Sequence, residues 1–115
     1  MIPKISRLKK NEDFQSVFKR GRSFAGENLR LKSKPNGLKV SRFSVVTGLA
    51  VSKKATERNR LKRRLNEILR LKIKDGEVKN GTDVVINTKT SALKLDYQQL
   101  EKELNGLLNR AGLLR

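Results

Sequence analysis

The stretch SKKATERNRLKRRLNEILR, residues 52–70, gathers the side chains of this chain best suited to chemistry. From Ser52 to Arg64 it places eight charged residues in thirteen positions, seven of them positive. At 100° per residue, Leu61, Leu65, Ile68 and Leu69 fall on one face of a helix. Asn59, Arg63 and Arg70 point away from that face, Arg60 and Arg64 flank one side, and Arg58 and Lys62 flank the other. The helix is therefore anchored by a narrow aliphatic stripe and positive around most of the remainder. Its cations crowd the N-terminal end, where unpaired N–H groups already supply roughly half a positive charge. Each misplaced cation there costs a few tenths of a kcal/mol, up to about 1, and Glu57 and Glu67 are too few to neutralise the set. A solvated face accounts for the polarity but not for its sign or its position. A polyanionic partner accounts for both, because Arg adds bidentate phosphate contacts and stacking on bases.

Other chemistry has little to work with. There is no His to shuttle protons and no Cys to act as nucleophile or form a disulfide. No H-E-x-x-H, phosphate-binding Walker loop or glycine-rich dinucleotide turn occurs, and the scattered carboxylates lack metal-ligand spacing. No residue is assigned to catalysis or to a metal. If the chain belongs to an enzyme, something else performs the reaction.

The formal charge is +17, and its distribution is uneven. Residues 1–74 hold 22 Lys and Arg against 5 Asp and Glu, whereas residues 75–115 hold 6 of each. So lopsided a field points to nucleic acid. An acidic membrane is disfavoured, because no helix pairs a cationic face with bulky aromatic anchors and no run of about 18 apolar residues is present. The opening MIPKISRLKKNEDF lacks the apolar core of a secretory signal, so a soluble, cytoplasmic protein is expected. The 115 residues fit a single domain, 1–115, with an aliphatic core, since aromatics make up only 4%.

Several elements must position these cations. A helix is predicted over 11–20, capped by Asn11, stopped by Gly21, with Phe14, Val17 and Phe18 on one face. Leu29 and Leu31 alternate with Arg30 and Lys32 in a strand over 28–33, followed by a KPNG turn. An extended run over 40–51 puts Phe43, Val45, Leu49 and Val51 on one parity, with Gly48 as a bulge or a break into two strands. The basic helix follows over about 56–73, with Thr56 as N-cap and Glu57 first in the helix. Residues 75–81 form a loop and 82–87 a buried strand. A last helix spans about 97–111, with an Asp96/Gln99 capping box, a Leu95/Leu100 staple and a stripe of Tyr97, Leu100, Leu104, Leu107, Leu108 and Ala111. The order α-β-β-β-α-β-α implies an α+β fold, a two-layer α/β sandwich with a mixed sheet of about four strands.

The ordered set of motifs resembles the bacterial ribonuclease P protein component. The resemblance is carried by Arg58-Asn59-Arg60 followed by Leu61-Lys62-Arg63 and preceded by Val51-Ser52-Lys53-Lys54, with RLKKNEDFQSVFKRG at 7–21 and DVVINTKTSALKLDYQQLEKEL further on. It implies a ribosomal-protein-S5 domain-2-like fold with a left-handed βαβ crossover, against the general right-handed rule. It also implies a protein subunit that binds ribonuclease P RNA, the catalytic RNA subunit, and assists removal of the 5′ leader from precursor tRNA. The RNA would carry out the hydrolysis with magnesium bound mainly by RNA; no obligatory protein partner is expected. By matching position, Arg58, Asn59, Arg60, Lys62 and Arg63 face the RNA, with Lys53, Lys54 and the neighbouring Arg64 beside them. Phe14 and Phe18 line a leader cleft, joined by Arg30 and Lys32 in a stretch where the family commonly carries an aromatic. Exposed aromatics stack on unpaired bases without demanding sequence, although both phenylalanines also fit an ordinary core. The chain departs from the family in having only Ala55-Thr56-Glu57 between Lys54 and Arg58, and Asn66 where a further Arg is usual. A ribosomal or ribosome-assembly RNA-binding protein would share the charge and fold but not the combined motif. A DNA-binding regulator would want a second helix, not a strand, before the basic one.

Overall fold

The computed structural model describes residues 2–115. Helix α1 spans Asn11–Arg20, strands β1, β2 and β3 span Arg22–Ala25, Leu29–Pro35 and Arg42–Val46, helix α2 spans Ala55–Lys74, strand β4 spans Thr82–Thr88, and helix α3 spans Tyr97–Arg110. Short 3-10 turns at Lys4–Ser6 and Thr90–Lys94 complete the chain. The four strands form one mixed sheet in the order β1-β2-β4-β3, antiparallel except for the parallel pair β3 and β4.

Side-chain alternation divides the sheet into two faces. Leu29 and Leu31, Phe43 and Val45, and Val84 and Ile86 point to one side, where they meet Leu61, Leu65, Ile68 and Leu69 of α2 and Leu100, Leu104, Leu107 and Leu108 of α3. This is the main core, and it is aliphatic apart from Phe43 and the partly buried Phe24 and Tyr97. Val85 points to the other side, where Leu8 and Val17 bury it and Phe14 packs alongside. Central β4 thus reads Val-Val-Ile without alternation because both of its faces are covered.

The hand of the β3-α2-β4 crossover follows from backbone chirality. The Phe43 side chain points toward α2, and its carbonyl accepts from the Leu8 N–H at 3.0 Å, on the side away from β4. Seen from the helices with β3 running upward, an L-residue facing the viewer turns its N–H and C=O to the right. Leu8 therefore lies to the right and β4 to the left, so the connection is left-handed, the minority hand for such units. This hand is what lays α2 beside α3 over a shared core and leaves the opposite face to α1.

The local signals differ from expectation at several points. Lys10, not Asn11, is the N-cap of α1, and Lys54, not Thr56, that of α2; neither cap uses a side-chain hydrogen bond. Gly21 ends α1 with φ −76°, so left-handed backbone is not its purpose. A Cβ there would lie 2.4 Å from the Val17 carbonyl oxygen, and it is this close approach that requires glycine. The third strand comes not from a split of 40–51 but from Arg22–Ala25, a short edge strand unmarked in sequence because only Phe24 turns toward the core. The run at 40–51 stops at Val46: the Val51 N–H closes a turn onto the Gly48 carbonyl, which leaves Leu49 72% exposed while Val51 is buried. Residues 47–54 are therefore a turn leading into α2 and not a continuation of the strand. The last helix matches its local code. Asp96 and Gln99 form the reciprocal capping box, and Gly112 at φ +72° ends it with paired bonds from Gly112 to Asn109 and from Leu113 to Leu108. Among the described residues, no helix is long and apolar enough to cross a membrane.

Candidate nucleic-acid interface

The α2 cations stand where the helical wheel puts them. Leu61, Leu65, Ile68 and Leu69 are buried, Asn59, Arg60, Lys62 and Arg63 are exposed, and Arg58 and Arg64 lie half-buried on the flanks. Lys53 and Lys54 are exposed at the helix entrance. Because α2 begins at Ala55, Lys54 is the cap and Arg58 the fourth residue, so these sit closest to the positive helix end. Arg60, Lys62, Arg63 and Arg64 lie further along, and their cost comes mainly from one another. Arg58 with Lys62 and Arg60 with Arg64 are like charges at i,i+4, and Arg60 with Arg63 at i,i+3.

No carboxylate among the described residues forms an ion pair with them. Among the described residues, the ion pairs are Arg42 with Asp13 and Asp83, Arg70 with Glu67, and Lys72 with Glu77. The two carboxylates on α2 itself are otherwise engaged. Glu57 accepts the Ser52 hydroxyl at 2.6 Å, and Glu67 binds Arg70, which holds that carboxyl below its ordinary range. Arg58 donates to the Ser52 carbonyl at 2.8 Å and Arg64 to the Leu95 carbonyl at 3.3 Å, contacts that orient the guanidinium groups without neutralising them. Arg60, Lys62 and Arg63 have no polar protein partner among the described residues.

A second basic surface lies on the other face of the sheet, beside α1. Lys32 holds its ammonium 5.2 Å from the centre of the Phe18 ring and 3.4 Å from the Phe18 carbonyl. Phe18 is 39% exposed, while Phe14, one turn earlier, is turned down against Leu8, Val17 and Val85. The structure thus separates the two phenylalanines: Phe18 and Lys32 share an open site, and Phe14 supports it from below. Arg30 is exposed on the same strand face, in a row that pairing extends through Ala25, Arg30, Asn87 and Val46. Asn87 and Val46 were not singled out from sequence; the parity of β4 and β3 relative to Val85 and Phe43 would have found them.

A buried-edge network fixes α1 over this face. Arg42 donates twice to Asp83, at 2.8 and 2.7 Å, and reaches Asp13 of α1 at 3.2 Å. The bond to Asp83 is the first cause of the raised Arg42 pKa, so the strut stays charged. Lys34 also hydrogen-bonds Ser16 of α1. No group of three or more acidic residues that could hold a metal ion occurs among the described residues.

With this geometry in view, the likeness to known proteins is specific. The Ribonuclease P family matches residues 2–112. A ribonuclease P protein component from Pseudanabaena sp. (strain PCC 6903) is 35% identical over 115 residues, covering 99% of this chain and 97% of that one. The RNase P protein from Thermotoga maritima, solved in complex with 1-(4-fluorophenyl)-2-thiourea, is 32% identical with a TM-score of 0.81, over 90% of this chain and 98% of that one. The RNase P protein of Staphylococcus aureus superposes with a TM-score of 0.84 over 96% and 98% at 23% identity, a likeness of fold alone.

Proposed function

The chain belongs to the ribonuclease P protein family, and from that membership we propose how its two basic surfaces divide the work. It is the protein subunit of ribonuclease P, a component of an endoribonuclease that acts in tRNA processing. On our reading, residues 1–115 act as a single RNA-binding domain in the cytoplasm, without an obligatory protein partner. The exposed side of α2, with Lys53, Lys54, Arg58, Asn59, Arg60, Lys62, Arg63 and Arg64, docks on ribonuclease P RNA. The face beside α1, with Phe18, Lys32 and Arg30 over a floor supported by Phe14, takes the single-stranded 5′ leader of precursor tRNA. RNA carries the hydrolysis, and magnesium is held mainly by RNA, consistent with a donor set rich in ammonium and guanidinium and poor in clustered carboxylates.

One observation carries this reading: the cations of α2 are assembled at a cost and left without acidic partners among the described residues. Desolvated against phosphates they become favourable, and each contact releases condensed counterions. The test is reconstitution with the catalytic RNA at low magnesium. Leader cleavage should rise on adding the chain, and Arg60→Ala should blunt the rise. No gain with the unaltered chain would remove the proposal.

A further inference from the structure

The loop between β3 and α2 carries Leu49, at 72% the most exposed large hydrophobic residue among the described residues. A lone exposed leucine is ordinary on a protein surface. This one differs in how it is held and in what surrounds it. The Val51 N–H bonds the Gly48 carbonyl at 3.0 Å, the Thr90 hydroxyl bonds the Ala50 carbonyl at 3.2 Å, and the Thr88 hydroxyl bonds the Val46 carbonyl at 3.3 Å. Val51 is sunk in the main core, so the loop is pinned on both sides of Leu49.

Val46, 36% exposed, ends the row Ala25, Arg30, Asn87, Val46 on the open sheet face. Leu49 lies three residues beyond it, within about 11 Å by chain length, and four residues before Lys53, within about 14 Å. Along the chain it therefore sits on the connection that leads from the open sheet face to the cations at the entrance of α2. From Ser44 to Thr56 the chain has no acidic residue. An apolar step flanked by cations suits a single-stranded polyanion, whose bases offer apolar faces and whose phosphates meet the ammonium groups.

We propose that Leu49, with Val46, forms an apolar ledge on which a base of the 5′ leader packs as the strand passes from the sheet face toward α2. The proposal rests on the leader-binding reading above and adds to it a contact that is neither aromatic nor charged. The ledge would act as a positioning element for the substrate and takes no part in docking the catalytic RNA.

The chain has no Trp, so Leu49→Trp gives a single indole reporter. In the complex reconstituted with the catalytic RNA, an uncleavable precursor tRNA should quench it, and tRNA lacking the leader should not. Leu49→Ser should weaken leader-bearing substrate by several-fold, up to about tenfold, and leave affinity for leaderless tRNA and for the catalytic RNA unchanged. Equal quenching by both tRNAs, quenching by the catalytic RNA alone, or an unaltered substrate affinity in Leu49→Ser would each overturn the ledge. Arg60→Ala, run in parallel, separates the cases. If it weakens RNA binding while the Leu49 variants do nothing, the ledge is wrong and the parent reading stands; if neither changes anything, both fall.

Discussion

Replacing Arg60 and Arg63 together by alanine should move RNA affinity and folding stability in opposite directions. Both side chains are exposed and without a polar protein partner among the described residues, so each is free to meet a phosphate. Each lost contact lowers the slope of log affinity against log salt by roughly 0.7–0.9, and two by about 1.4–1.8. Across a threefold rise in salt, the affinity gap between the parent and the double variant should therefore narrow by about sixfold. Stability follows different arithmetic. Arg60 faces Arg63 at i+3 and Arg64 at i+4, and each like pair costs about 0.2–0.5 kcal/mol; the two acidic neighbours at helical spacing, Glu57 of Arg60 and Glu67 of Arg63, are already engaged by Ser52 and Arg70. Removing the pair should leave the free protein unchanged or more stable by up to about 1 kcal/mol. For a chain of this length that is up to about 4 °C in Tm. Filter binding over a salt series gives the slope, and thermal unfolding monitored by circular dichroism gives the sign of the stability change. An unaltered slope would show that these guanidinium groups face bulk solvent in the complex. A clear loss of stability would show that they are structural, and the cost argument would be void.

Other consequences can be checked on the free protein. Sulfate should raise Tm above chloride at matched ionic strength, because a multivalent anion bridges the α2 cations; at ten times its Kd the gain is about 1.4 kcal/mol, or about 6 °C, and equal melting points would count against a formed anion site. Glu103→Ala should cost about 2 kcal/mol in urea unfolding, since the Glu103 carboxylate accepts from Asn28 N–H, Asn28 Nδ2 and Leu29 N–H at 2.9, 2.7 and 2.6 Å and so ties α3 to the β1–β2 turn. Arg70 holds the Glu67 carboxyl below its ordinary range, so this pair contributes stability at neutral pH that is lost as pH falls through the acid range. Glu67→Gln should flatten that part of the pH–stability curve, and an identical acid limb in both proteins would refute the coupling.

What the sequence revealed depended on whether the information was local. The capping box at Asp96 and Gln99, the Leu stripe of α3 and the cation pattern of α2 are set by neighbours within a few residues, and each was legible. β1 was not, because four residues with one inward side chain carry no periodicity. Leu49 and Val51 keep the parity of Phe43 and Val45 by coincidence across a turn, so the periodicity carries the expected strand five residues past its end at Val46. Phe14 and Phe18 share a helical face, and only the seat of α1 on the sheet decides that one is covered and the other open. The Arg42 strut joins residues 13, 42 and 83, and no local rule connects them. The cost of the α2 cations was visible in sequence, but the lack of acidic relief depends on long-range pairing and needed the fold.

The place of β4 in the sheet has a bearing on biosynthesis. Strands β2 and β3 never touch as neighbours; both pair with β4, which begins at Thr82. A chain emerging from the ribosome can close the β1–β2 hairpin early, but β3 has no lateral partner within the sheet until the last third is made, and the core then still awaits α3. The cationic segment is thus synthesised well before the scaffold that displays it. A product halted near residue 81 would hold most of the positive charge with no defined surface to present it, a sticky polycation in place of a selective subunit.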